Sequence, residues 1–124
     1  MIEAMYGVEF VSNVNHLQGN RGIDDMGYGV VIFETGRILG GDSSYVYVGE
    51  YAIDNSILKV NVKVTNDRKV LTSIFGNFDE FRLTGQATIK DRGYLIREFI
   101  VYGEMMENPA LKIAVKFTRR AELP

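Results

Sequence analysis

The stretch from residue 27 to residue 53 most constrains the fold, because it specifies three consecutive strands and the turns between them. Residues 30–33 (VVIF) are β-branched or aromatic, which favours a pleated and half-buried strand. Glu34-Thr35-Gly36 follows as a hairpin turn in which the glycine can take a positive φ angle. The chain then resumes at residues 37–39, so the stretch predicts antiparallel hairpins.

Residues 45–53 predict a strand with apolar side chains on both faces. Alternation places Tyr45, Tyr47 and Tyr51 on one face of the strand. The smaller apolar residues Val46 and Val48 lie on the other face. Because each face carries apolar bulk, we expect both faces of this strand to be partly covered.

The motif Gly40-Gly41-Asp42-Ser43 predicts a tight turn or a bulge between two of these strands. Paired glycines and short polar side chains favour such a break over continued pairing. We expect Gly40 and Gly41 to take positive φ or to approach a neighbouring strand closely. Asp42 is expected to cap the turn by accepting backbone hydrogen bonds, in preference to acting as a catalytic acid.

The rest of the chain adds strands that bring the total to about eight. Alternating apolar and polar residues mark residues 5–12, 58–65, 78–90 and 111–118, and residues 94–102 predict a further strand that is apolar on both faces except at Arg97 and Glu98. Residues 70–75 (VLTSIF) are compatible with a short strand or with a loop packed onto the core. Asp54-Asn55-Ser56 predicts a turn, since these residue types tolerate left-handed backbone.

Sequential hairpins with short turns predict an up-and-down antiparallel sheet. Such a sheet must cover its edges or close on itself, and about eight strands can form a barrel that side chains fill or that holds one small ligand. We therefore predict an all-β closed barrel as a single domain, residues 1–124, with a two-sheet sandwich as the alternative. The predicted core residues include Phe10, Phe33, Leu83 and Phe117.

Charge and residue types exclude several functional classes. The net charge of −2 gives no general attraction to phosphate backbones, so we expect no direct nucleic-acid binding. The absence of cysteine removes disulfides, thiolate metal sites and thiol nucleophiles. The chain shows no signal peptide and no apolar run of about 18 residues, so we expect a cytoplasmic protein without a membrane segment.

The single histidine, His16, lies in a polar connection at residues 13–26 with Asp24 and Asp25. One histidine and two adjacent carboxylates lack the spaced ligand set of a metal site. No serine has an identifiable base, so a nucleophilic triad cannot be assembled. We predict a protein that is not an enzyme and uses no metal or cofactor.

Residues 36–49 (GRILGGDSSYVYVG), with YGVEF near the N-terminus and a GVVIF strand, resemble the GrlR-type family. The family is named after a negative regulator of type III secretion genes. The resemblance implies a bacterial, lipocalin-like β-barrel that represses transcription by sequestering an activator without touching DNA. It also implies that an acidic turn between two mid-chain strands binds the activator. The turn here, at Asp54 and Asn55, carries one acidic residue.

We predict that a protein partner meets the outside of the barrel. The candidate contacts are a strand edge, the connection at residues 13–26, the Asp54-Asn55 turn and a loop with Met105 and Met106, since unbranched methionines adapt to varied surfaces. Alternatively, both methionines plug the barrel end. A second copy of the chain is a further candidate partner.

Two other functions remain open. A carrier of a small apolar ligand needs a dry cavity of about a few hundred Å³, although the chain has no Trp and hence no lipocalin Gly-x-Trp signature. A single-strand nucleic-acid binder would combine stacking rings with nearby lysines, here Tyr45, Tyr47 and Tyr51 with Lys59 and Lys63. For these tyrosines we favour packing in the core or at the rim.

Overall fold

The computed structural model describes residues 2–14, 27–89 and 96–124, which form eight antiparallel strands. They are β1 (Ala4–Ser12), β2 (Gly27–Glu34), β3 (Arg37–Gly41), β4 (Tyr45–Asp54), β5 (Ile57–Asn66), β6 (Glu80–Thr88), β7 (Glu98–Met105) and β8 (Lys112–Ala121). Each strand pairs with the next, and β8 pairs with β1, so the sheet closes into a barrel. The predicted all-β, eight-stranded, up-and-down barrel is confirmed.

Alternation along the strands separates the interior of the barrel from its surface. On β1, Ala4, Tyr6 and Val8 are buried, whereas the residues between them are more exposed. Strand pairing brings Phe33 opposite Ala4 and Phe117 opposite Val8, and both phenylalanines are buried as predicted. The hydrophobic core is therefore the interior of the barrel.

Two hairpin turns use left-handed backbone. Thr35 and Gly36 have φ angles of 51° and 78°, and Asn55 and Ser56 have φ angles of 51° and 66°. Positive φ at both central residues is typical of the turns whose twist matches that of antiparallel strands. The expectations for Gly36 and for the turn after Asp54 are confirmed.

Residues 67–79 cover one end of the barrel, and we call them the cap. They form no strand, and an isolated β-bridge joins Ser73 and Gly76. Ile74 and Phe75 of the cap are buried in the core. Of the two interpretations left open for residues 70–75, the loop packed onto the core is therefore correct.

Several strand boundaries differ from the prediction, among them the end of β7 and the start of β2. β7 continues past its predicted end at Tyr102, because Gly103 still pairs with Gly85 of β6 and with Ile113 of β8. β2 begins at Gly27 and not at Val30. Residues 91–93, which separate two of the predicted strands, and most of the predicted connection at residues 13–26 lie outside the described residues.

Candidate functional site

The candidate contact residues are split between two opposite ends of the barrel. The hairpin end carries the β2–β3 and β4–β5 turns, and the capped end carries the cap and the β7–β8 connection. Asp54 and Asn55 belong to the hairpin end, whereas Met105 and Met106 belong to the capped end. These residues therefore do not form one continuous surface. The described strands close on themselves, so the strand edge that we predicted as a contact is not available among them.

The Asp54-Asn55 turn is fully accessible at the tip of the β4–β5 hairpin. Asp54 pairs with Ile57 at the end of the ladder, and both Asp54 and Asn55 are exposed. Ile53, directly before the turn, is 46% exposed. The turn therefore presents a carboxylate and an amide beside an apolar side chain.

The two methionines have opposite environments. Met105 is 1% exposed and lies inside the barrel opposite Leu83, so its inclusion in a contact surface is wrong. Met106 is 51% exposed and follows the strand. The adjacent Glu107 accepts a hydrogen bond from the backbone N–H of Arg82 (3.0 Å), which lowers the pKa of its carboxyl group. Met106 alone of the pair remains available to a partner.

Gly40 and Gly41 continue the β3 ladder, so the prediction that they break it is wrong. Gly40 pairs with Val31 and Tyr47 across its two neighbouring strands. Positive φ among the described glycines is confined to Gly36 and Gly76, so left-handed backbone does not explain the pair. A Cβ atom at Gly40 would lie 2.0 Å from the carbonyl oxygen of Val30. Close approach of the strands is therefore the reason for glycine.

Asp42 caps the turn between β3 and β4, as predicted. Its Oδ1 accepts hydrogen bonds from the backbone N–H groups of Ser44 (2.9 Å) and Tyr45 (2.7 Å). Its Oδ2 accepts one from the hydroxyl group of Tyr47. Ser43, at the tip of the turn, is exposed. The Asp42 carboxylate thus stabilises the turn and also fixes the ring of Tyr47.

The half of the lumen at the hairpin end is filled by aromatic rings. Phe33 is 0% exposed, and its ring centroid lies 5.3 Å from that of Tyr6, 4.9 Å from that of Tyr51 and 5.5 Å from that of Phe117. Phe99 and Phe117 stack at 4.7 Å. Edge and offset contacts of this kind add to the stabilisation from burial alone.

Arg119 closes the hairpin end with polar contacts. Its side chain is 8% exposed, with Nη1 donating to the Ile96 carbonyl and Nη2 to the Glu3 carbonyl, each at 3.2 Å. The Tyr6 hydroxyl donates to the Ile2 carbonyl (2.5 Å). Burial raises the pKa of Tyr6 to about 12 against a smaller opposing effect of Arg119. These bonds tie the N-terminal residues to the barrel.

The half of the lumen at the capped end contains a cavity of about 110 Å³. Phe10 and Leu83 line it, so these two predicted core residues point inward but are only partly buried. Ile74 and Phe75 of the cap complete the wall. The cavity is smaller than the few hundred Å³ that a carrier of a small apolar ligand needs, because aromatic rings occupy the other half of the lumen.

Two serine side chains, the buried Ser44 and the partly buried Ser12, anchor the cap. Ser44 is 1% exposed, and its Oγ accepts hydrogen bonds from the N–H groups of Val70 (3.0 Å) and Leu71 (3.1 Å). At the other side of the barrel, the Ser12 hydroxyl donates to the Ile74 carbonyl (2.6 Å). Buried backbone groups need such partners. The cap is therefore a fixed wall of the lumen.

The outer surfaces of β2, β3 and β4 form a contiguous apolar patch, which we call the outer apolar face. Strand pairing aligns Ile32, Leu39 and Val48 in one row, and Val30 and Val46 lie in the next row on either side of Gly41. Its most exposed members are Tyr28 (58%), Val48 (55%), Val30 (45%), Leu39 (42%) and Val46 (40%). The sequence predicted apolar residues on both faces of β4. It did not predict the strand register, which brings apolar residues of β2, β3 and β4 together.

The tyrosines and lysines of the nucleic-acid alternative lie on opposite sides of the sheet. Tyr45 and Tyr47 are buried inside the barrel, at 5% and 8% exposure. Lys59 and Lys63 are exposed on the outside of β5. This arrangement confirms the tyrosines as core residues and separates them from the lysines.

The described residues contain neither a metal-binding cluster nor a helix that could span a membrane. Within residues 2–14, 27–89 and 96–124, no group of three or more His, Cys, Asp or Glu side chains is placed to hold a metal ion. The predicted His16 region lies outside these ranges. The same part of the chain has no helix of the length and apolarity that crossing a membrane requires.

No protein-family model matches the chain, and no curated protein is significantly similar to it. The function must therefore be argued from the barrel, its outer apolar face and its lumen.

Proposed function

We propose that this protein is a non-enzymatic β-barrel that acts by binding another protein through its outer apolar face. The observation that carries the proposal is the contiguous exposure of Val30, Leu39, Val46 and Val48 on neighbouring strands. Single exposed apolar residues are ordinary, but large contiguous apolar patches mark interaction sites. The core of the barrel forms from the opposite faces of the same strands, so folding does not require these outward side chains.

A charged row borders the outer apolar face and supports a protein partner. Arg37 lies opposite Glu34 on β2 and opposite Glu50 on β4, one row closer to the hairpin end. Arg37 and Glu34 form an ion pair of 3.5 Å. Protein interfaces typically combine an apolar centre with a polar rim. The net charge of −2 provides no attraction to anionic lipid, which disfavours a membrane surface as the partner.

For the biological role, we assign negative regulation of transcription in a bacterial cytoplasm, by sequestration of an activator protein. The support is the resemblance of Gly40-Gly41-Asp42-Ser43 and the tyrosine-rich strand to the GrlR-type family. The exposed Asp54 and Asn55 provide a second, polar contact at the hairpin end. A second copy of the chain would compete for the same apolar face.

The proposal is tested by affinity capture from the source cell with a charged variant of the outer apolar face. Leu39→Glu combined with Val48→Glu adds two carboxylates to exposed positions of the patch. The matched control, Gln86→Glu with Thr88→Glu, adds the same charge to exposed positions of β6. We expect the parent and the control to capture the same protein and the face variant to lose it by about tenfold or more.

Two measurements complete this test. Circular dichroism of each variant establishes that the barrel is folded, and sedimentation of the purified parent measures self-association. A captured protein that the folded face variant retains at parental level would contradict the outer apolar face as the contact. If that protein is an activator, a reporter gene under its control should be repressed by the parent and by the control but not by the face variant.

A further inference from the structure

The wall of the cavity at the capped end consists mainly of apolar side chains. Its strand side chains include Val62, Leu83 and Val115, which point inward but are only partly buried. Two hydroxyl groups of the lining residues have protein partners: the Tyr45 hydroxyl donates to the Phe78 carbonyl (2.9 Å), and the Ser73 hydroxyl donates to a cap carbonyl (2.8 Å). A polar ligand would therefore lose its hydrogen bonds with water without replacing them.

Two glycines in neighbouring strands leave part of the cavity free of side chains. Gly85 and Gly103 face each other across β6 and β7 and line the cavity. A Cβ atom at Gly103 would lie 2.3 Å from the carbonyl oxygen of Thr84, so a larger residue cannot replace this glycine without moving the strands. The cap is fixed by the Ser44 and Ser12 hydrogen bonds. The cavity is therefore preformed, as small-molecule sites usually are.

We infer that the capped half of the lumen is a binding site for a small, uncharged, apolar molecule of about one six-membered ring. The volume of about 110 Å³ is close to the roughly 150 Å³ of engineered apolar cavities that stay dry and bind benzene. A fatty acid or a two-ring fluorophore exceeds this volume. This lumen site is separate from the outer apolar face, so either can fail without the other.

Thermal unfolding of the full chain with added benzene or cyclohexane tests the site. A ligand that binds only the folded state raises Tm, and at about ten times its Kd the rise is on the order of 5 °C for a domain of this size. Phenol at the same concentration should give a smaller rise, because its hydroxyl group would lack a partner. The absence of a rise with both apolar compounds would overturn the inference.

A pair of matched variants locates the binding. Val62→Phe places a ring in the cavity, whereas Val11→Phe makes the same change on the outside of the barrel. We expect Val62→Phe to abolish the ligand-induced rise in Tm and Val11→Phe to retain it. If Val62→Phe does not fold, Val62→Ile and Val115→Ile each add one methyl group and should weaken binding about threefold or more. An unchanged rise in all folded cavity variants would place the ligand elsewhere and refute the site.

Discussion

The two halves of the lumen follow the same inside-outside alternation but are filled to different extents. At the hairpin end, the rings of Tyr6, Phe33 and Phe117 contact one another directly. At the capped end, valines and the inward glycines Gly85 and Gly103 leave a cavity of about 110 Å³. Alternation therefore decides which residues point inward, but their volumes decide whether the space is filled.

The two ends are also closed by different means. A long side chain, Arg119, bridges carbonyl groups at the hairpin end. At the capped end a chain segment lies over the opening, and the buried hydroxyl of Ser44 accepts two of its N–H groups. The backbone N–H groups of a packed chain segment need hydrogen-bond acceptors from the protein. An arginine side chain instead supplies N–H donors, which bond to backbone carbonyl groups already present at that end of the barrel. The capped end is therefore closed by a chain segment that side-chain hydroxyl groups hold in place, and the hairpin end by one arginine side chain.

The largest expected effect concerns the filled half. Phe33→Ala removes the central ring of the aromatic contacts and should lower the free energy of unfolding by about 3 to 5 kcal/mol. Phe10→Ala is the comparison in the other half, where the ring is partly buried beside the cavity, and it should cost roughly half as much. Urea denaturation measures both, and equal losses would break the distinction between the two halves.

A slightly smaller effect is expected where the strands approach each other. Gly40→Ala places a Cβ atom against the Val30 carbonyl and should cost about 3 kcal/mol, since the clash is with backbone. Gly7→Ala is the control, because its Cβ atom would meet only the flexible side chain of Arg120. We expect the control to change stability by less than about 1 kcal/mol. Comparable stabilities for the two variants would refute the close approach.

The Tyr6 hydroxyl gives a pH test of the hairpin end. Burial raises its pKa to about 12 from the ordinary value of 10.0, so the folded state favours the neutral form. The resulting stability is fully present below pH 10 and is lost as the pH rises from 10 to 12, by up to about 2 to 3 kcal/mol. Tyr6→Phe should remove this part of the pH dependence in denaturation series across that range. The same slope in parent and variant would show that Tyr6 is not responsible.

The smallest effect tests the anchor of the cap. Ser44→Ala leaves the N–H groups of Val70 and Leu71 without their partner and should cost about 1 to 2 kcal/mol. The neighbouring Ser43 is exposed, so Ser43→Ala should change stability by no more than about 0.5 kcal/mol. Thermal unfolding distinguishes the two. If Ser43→Ala is as damaging as Ser44→Ala, the effect comes from the turn and not from the cap.

Local features of the fold could be predicted because they depend on neighbouring residues. Alternation marked the strands, and the turn residues Gly36 and Asn55 adopt the left-handed backbone expected of their types. Asp42 caps its turn because its side chain reaches N–H groups two and three residues later. Closure into a barrel followed from the strand number and the short hairpins.

The tertiary structure decided what depends on residues that are distant in sequence. Met105 is buried because β7 continues along β6 and β8, which the prediction of a loop there could not anticipate. The outer apolar face exists because the register aligns Ile32, Leu39 and Val48 across three strands. The cavity depends on the summed volumes of side chains from all parts of the barrel. The sequence by itself determined the direction in which each strand residue points, since that follows from a local backbone period of two, whereas only strand pairing determined which residues meet.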